Sequence, residues 1–143
     1  MATTNASPYS GYFSTPQVLP NGNQGYGAKT IVFRALVTYA SQAAADVIRL
    51  FKLPKGITPL FGILNADTSS GTTTIAIGNS TTAAKYKAAA AFTTTDTPTL
   101  FGKAAAVGGV TPSTTEEEVI ATLAAATAPA SGLLTIDMVC ATL

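Results

Sequence analysis

Glu116-Glu117-Glu118 is the densest run of chemistry-bearing side chains in the sequence. Paired carboxylates do acid/base work when they converge on one proton. Adjacent residues on a strand point to opposite faces, so these three cannot converge. The run reads as a solvated loop leading into a strand, with a charged contact to a partner as the sharper reading. Asn65-Ala66-Asp67-Thr68-Ser69-Ser70-Gly71 has the oxygen-rich composition of a calcium loop. Its Gly falls one place late, and Ala76 stands where the bidentate Glu belongs. An Asx-type turn accounts for it better.

The remaining candidates fail on spacing. Gly78-Asn79-Ser80 is followed by Thr81-Thr82, with no closing Gly, so there is no nucleophile elbow. Gly102-Lys103 has no glycine-rich phosphate loop ahead of it. Histidine is absent, which removes the commonest general base and metal ligand. The single Cys140 can form neither an internal disulfide nor a structural zinc site. It falls on the apolar side of a strand, where a thiol acts as a small hydrophobe. Asp137 shares a strand face with Thr135 and is expected to be exposed or paired. No nucleophile–base constellation can be assembled. The expectation is a protein that is not an enzyme, with no catalytic, cofactor-binding or metal residues and no small-molecule substrate.

The elements read as strands. Glu118 to Thr142 reads as two strands and a turn. Val119, Ala121 and Leu123 alternate with Ile120, Thr122 and Ala124; Pro129-Ala130-Ser131-Gly132 turns the chain; Leu134, Ile136, Met138 and Cys140 share the returning face. That pattern predicts an antiparallel pair. Lys29 to Tyr39 is the clearest strand, with Ile31, Phe33, Ala35, Val37 and Tyr39 on one side. Ser41 to Leu53 fits a helix or a strand, and we assign a strand because its neighbours are strands. As a strand it places Val47, Phe51 and Leu53 on one face.

Ile57 to Ala66 is apolar, with Pro59 marking an edge or early position. Thr72 to Gly78 puts Ile75 and Ile77 on one face. Ala83 to Phe92 puts Tyr86, Ala88, Ala90 and Phe92 inward and Lys85 and Lys87 outward. Leu100 to Val107 is a further short strand. About eight strands with turns every 8–12 residues predict an all-β chain. The expected fold is an antiparallel β-sandwich, jelly-roll-like, over residues 28–143.

Charged residues make up only 10% of the chain, against roughly 25% in typical globular proteins. Ala and Thr together make up about a third. Small uncharged side chains lose little on being covered by another protein, so much of the surface is expected to be covered in an assembly. The net charge of +1, with scattered Lys and Arg, offers no field for nucleic acid or an anionic membrane. No apolar run approaches the length of a membrane helix, and no signal peptide is visible.

Residues 1–27 hold Pro8, Pro16 and Pro20 among several glycines and read as an extended N-terminal arm. Disordered tails are poor in aromatics, yet this one carries Tyr9, Tyr12, Phe13 and Tyr26. Those four rings are the expected partner-interface residues, the arm docking on its own domain, a sister subunit or another protein.

Ala45-Asp46-Val47-Ile48-Arg49-Leu50-Phe51-Lys52-Leu53-Pro54-Lys55-Gly56, Thr72-Thr73-Thr74-Ile75-Ala76-Ile77-Gly78 and Asp96-Thr97-Pro98-Thr99-Leu100-Phe101-Gly102 resemble small structural proteins of tailed bacteriophages. Those are similar to head decoration (cement) proteins that sit on the capsid. The resemblance covers about residues 29 to 143. It implies a β-sandwich that oligomerises, often as a homotrimer, and bridges neighbouring major capsid protein subunits of the same virion. The location it implies is the outer capsid surface, after synthesis in the host cytoplasm. The alternative is a tail, fibre or spike component with a receptor- or glycan-binding β-sandwich. That would need a concave, aromatic-lined loop site, and the absence of Trp argues against one.

Overall fold

The computed structural model describes residues 29–109 and 112–142. The arm expected over residues 1–27 lies outside them. In chain order the elements are β1 (Lys29–Thr38), β2 (Val47–Leu53), β3 (Ile57–Ala66), β4 (Thr74–Gly78), β5 (Lys87–Ala91), β6 (Thr99–Phe101), a helical turn α1 (Ala104–Val107), β7 (Glu117–Ala124) and β8 (Leu133–Thr142). Two four-stranded sheets form, ordered β1-β8-β3-β6 and β2-β7-β4-β5. Every pairing is antiparallel.

The topology follows a simple rule. β1 pairs with β8, β2 with β7, β3 with β6 and β4 with β5. The chain is one long hairpin with its tip at β4–β5. Wrapping that hairpin around a core brings β8 against β3 and β7 against β4. This is the jelly roll expected from the strand count and turn spacing.

The rule corrects the reading of the C-terminal stretch. β7 and β8 do not pair; they are inner strands of opposite sheets. The connection over residues 125–132 crosses from one sheet to the other, and so does the β1–β2 connection beside it. Hydrogen bonds tie the two together: Ala45 N–H to Leu123 O at 2.9 Å, Ala128 N–H to Gln42 O at 2.8 Å, Ser41 N–H to Pro129 O at 2.9 Å and Tyr39 N–H to Gly132 O at 2.8 Å. The ladder therefore continues around the corner, and the turn residues serve a crossover. The alternation itself is as read. Val119, Ala121 and Leu123 are fully buried, as are Leu134, Ile136, Met138 and Cys140. All seven belong to one core with Ile75, Ile77 and Leu64. Each such Leu or Ile contributes about 1.5–3 kcal/mol by leaving water.

Other boundaries shift. The Ser41–Leu53 stretch is strand, but only from Val47. A bulge between Arg49 and Phe51 changes its inward set: Ile48 and Leu50 are half-buried, Phe51 and Leu53 follow, and Val47 is exposed. Strict period-2 reading cannot anticipate an inserted residue. Pro59 lies at a register shift of β3, beyond the short stretch Gly62–Leu64 that pairs with β6, so that side of Pro59 has no ladder to break. β5 is shorter than expected; Tyr86 and Phe92 flank it and are buried, whereas Ala88 and Ala90 are exposed. The Leu100–Val107 segment splits into the short β6 and α1.

At the β4–β5 tip the backbone passes close to itself. A Cβ added at Gly78 would collide with the Thr82 carbonyl and the Ala83 backbone. That turn cannot step aside, because Asn79 Oδ1 accepts the N–H groups of Thr81 and Thr82 at 3.1 and 2.7 Å. Gly78→Ala should therefore lower unfolding free energy by about 1–3 kcal/mol. Gly109→Ala, where a Cβ meets nothing within 4 Å, should change it by less than about 0.5 kcal/mol. Urea denaturation of both variants checks the contrast.

Candidate interaction face

The chemistry-bearing residues are taken up structurally. Glu116 pairs with Lys52 at 3.0 Å, and Glu118 accepts from both Nε and Nη2 of Arg49, on the outer side of β2–β7. Arg49 holds the Glu118 carboxyl below its usual range. Glu117 points the other way. It accepts from Lys85 Nζ, from Tyr86 Oη at 2.9 Å and from Asn79 Nδ2 at 3.1 Å. The three carboxylates diverge as adjacent strand residues should. They are paired within the chain, however, and the expected solvated loop is replaced by ion pairs of low individual worth. Lys85 is correspondingly turned to Glu117 and not outward.

Asp67 and its neighbours form a turn. Asp67 Oδ1 accepts Leu133 N–H at 2.7 Å, and Ser70 Oγ donates to Thr73 O at 2.9 Å. Among the described residues no group of three Asp, Glu, His or Cys side chains could hold a metal ion. No helix there is long and apolar enough to cross a membrane. Cys140 is fully buried, and burial pushes its thiol up to about 11.

Asp137 is paired, and its partner organises a surface. It is 7% exposed and accepts from Arg34 Nε and Nη2, each at 2.7 Å. The two residues stand opposite each other in the β1–β8 register. A bidentate guanidinium–carboxylate pair is among the stronger and more directional of hydrogen-bonded contacts. Here it neutralises the middle of the outer face of the β1-β8-β3-β6 sheet. The Arg34 side chain remains 63% exposed.

Around the pair the face is apolar. Val32 and Phe61 flank Val139 in register, and Ile63 stands between Asp137 and Leu100. Val32, Leu36, Phe61 and Leu100 are exposed, Leu100 by 68%. Beside the pair lies a groove of about 370 Å³, lined by Arg34, Leu36, Ile63, Asn65, Thr135 and Asp137. Asn65 Oδ1 is covered there without a hydrogen-bond partner. The outer face of the other sheet carries Ala76, Thr122 and the Arg49–Glu118 pair, with Ile120 opposite Arg49 and the exposed Val47 opposite Thr122.

The rings expected to bind a partner, Tyr9, Tyr12, Phe13 and Tyr26, lie outside the described residues. The apolar sheet face was not singled out in the sequence. Its signal was present: the outward positions Val32, Leu36, Ile63 and Val139 are apolar where a solvated face would be polar.

With the fold and its outer faces defined, solved structures can be compared. The chain is similar to one in the capsid asymmetric unit of cyanophage Pam1, with a TM-score of 0.70 and 20% identity over 100% of both chains. It is similar to a chain in the capsid of Ralstonia phage GP4, with a TM-score of 0.60 and 18% identity over 82% of this chain and 85% of that one. A chain in the acid-stable capsid structure of Helicobacter pylori bacteriophage KHP30 matches at a TM-score of 0.52 and 14% identity over 80% of this chain and 93% of that one. No family model and no curated protein matches the sequence. At these identities what is shared is the fold.

The buried thiol and phenols set a pH dependence. Cys140 rises from 9.0 to about 11, and Tyr86 is raised by burial first and then by Glu117. Near neutral pH both groups are protonated in folded and unfolded chains alike and contribute no slope. Between 9.0 and about 11 the unfolded chain releases the thiol proton that the folded chain keeps. The unfolded state then binds fewer protons, so unfolding free energy falls as pH rises. Thermal melts should be flat from near neutral pH up to that window and fall through it, and Cys140→Ala should flatten part of the fall. In the native state at neutral pH, Cys140 should react with a thiol reagent only as fast as the protein opens.

Proposed function

We propose that the protein is a non-enzymatic virion structural component that binds the outer surface of an assembled phage head and bridges its major capsid subunits. The observation that carries this reading is the full-length likeness to a chain of the Pam1 capsid, which leaves no part of either chain unmatched. The outer surfaces support it. One sheet face is apolar and neutral at its centre, as a contact surface is, and the acidic run that could have been a reactive site is consumed in ion pairs.

The mechanism is linkage. A protein that binds only the assembled shell stabilises that shell by mass action. Standard interfaces bury about 1,600 Å², and many copies summed over a head would oppose the outward pressure of packaged DNA. In this reading the sandwich supplies a rigid body, and residues 1–27 carry the partner-interface rings Tyr9, Tyr12, Phe13 and Tyr26. A homotrimer would multiply the attachment by effective concentration.

Purified protein mixed with heads assembled without it should co-sediment with them saturably. It should also raise the temperature at which those heads release DNA. Failure to sediment with heads, at concentrations well above those of the head subunits, would overturn the reading.

A further inference from the structure

We propose that the outer face of the β1-β8-β3-β6 sheet is the docking surface for residues 1–28 of a second copy of this chain, with one of their rings laid over Arg34. The inference deepens the virion reading, on which its biological meaning rests.

The face and the segment are complementary in chemistry. Residues 1–28 contain no Asp, Glu, Lys or Arg, and they carry Tyr9, Tyr12, Phe13 and Tyr26. The face offers Val32, Leu36, Phe61 and Leu100 exposed around a charge pair that cancels itself. An uncharged, aromatic segment can cover it without stranding a charge. Arg34 adds a specific element. Asp137 takes Nε and Nη2 in the guanidinium plane, which fixes that plane and leaves the flat face of a largely exposed cation free. A tyrosine or phenylalanine ring stacks on such a plane. The neighbouring groove of about 370 Å³ gives a ring room beside it.

Length and direction select a second copy as the donor. Fully extended, residues 1–28 span up to roughly 90 Å, and the four strands of the face are together roughly 15 Å across. Reach is therefore ample. β1 runs from Lys29 to Thr38, and the groove lies against Leu36, roughly 23 Å from Lys29 along the strand. β1 begins at Lys29, the end of the strand away from the groove. The same copy's segment would have to reverse across the whole face, whereas a neighbour's can enter directly.

Self-association is measured with no capsid present, so its failure is distinct from failure to bind heads. Light scattering over a concentration series would compare three full-length proteins: the unaltered chain, a face variant (Leu36→Asp with Leu100→Asp), and a ring variant (Tyr9→Ser, Tyr12→Ser, Phe13→Ser and Tyr26→Ser). Circular dichroism checks that each is folded. The unaltered chain should associate, and each variant should lose at least tenfold in association constant. Mixing the two variants should restore association in part, because one keeps the rings and the other keeps the face. Ring-variant association equal to the unaltered chain's would mean that two faces pack on each other, and would overturn the proposal. Face-variant association equal to the unaltered chain's would place the rings elsewhere and would also overturn it. So would an unaltered chain that stays monomeric throughout.

Discussion

The structure depends on one constraint: β8 must be paired on both sides. It lies between β1 and β3, and its inward residues Leu134, Ile136, Met138 and Cys140 are all fully buried. An inner strand cannot be satisfied by a local hairpin alone. Its two partners come from far upstream, so the chain must be nearly complete before β8 is held. β7 has the same position in the other sheet, between β2 and β4. The wrapped hairpin meets both demands at once, because the crossover that carries β7 to β8 runs beside the one that carries β1 to β2. Backbone groups that a sheet corner would leave unpaired are spent on each other there.

This explains how much of the fold was legible in the sequence. Alternation depends only on which face is buried; β4, β7 and β8 bury the residues that alternation selects, and β1 does so from Ala35 onward, with Ile31 exposed. Pairing partners depend on the whole chain. The Pro129–Gly132 stretch does bend the chain, but nothing in its residues states whether the strands beside it pair or separate. The bulge at Leu50 was hidden for a similar reason: an inserted residue leaves the composition of a strand unchanged while changing its inward set. The β5 region misled through its flanks. Tyr86 and Phe92 are buried as read, yet the alanines between them sit on an edge strand and stay exposed.

The candidate site was legible in a different measure. The adjacency of the acidic run on a strand argued correctly that the glutamates diverge. What could not be read was that Lys52, Arg49 and Lys85 would meet them, since those contacts cross between elements. Asp137 was read as exposed or paired, and the β1–β8 register supplies Arg34 directly opposite. The apolar outer face was present in Val32, Leu36, Ile63 and Val139. It becomes a surface only when β1, β8 and β3 are placed side by side.

The two sheets then differ in a way that bears on assembly. The outer face of β2-β7-β4-β5 presents Arg49–Glu118 and Lys52–Glu116 beside small residues, Ile120 and the exposed Val47. Such pairs remain hydrated at low cost, and burying them under a partner would forfeit that hydration. The outer face of β1-β8-β3-β6 holds a single ion pair, already bidentate and with its carboxylate already buried. Covering this face dehydrates the Arg34 side chain, whose charge Asp137 already balances, and buries four exposed apolar side chains. Both faces were available to evolution as contact surfaces. Only one carries a pair whose carboxylate is already buried in the monomer, and it is the face whose edge strand begins where residues 1–28 end.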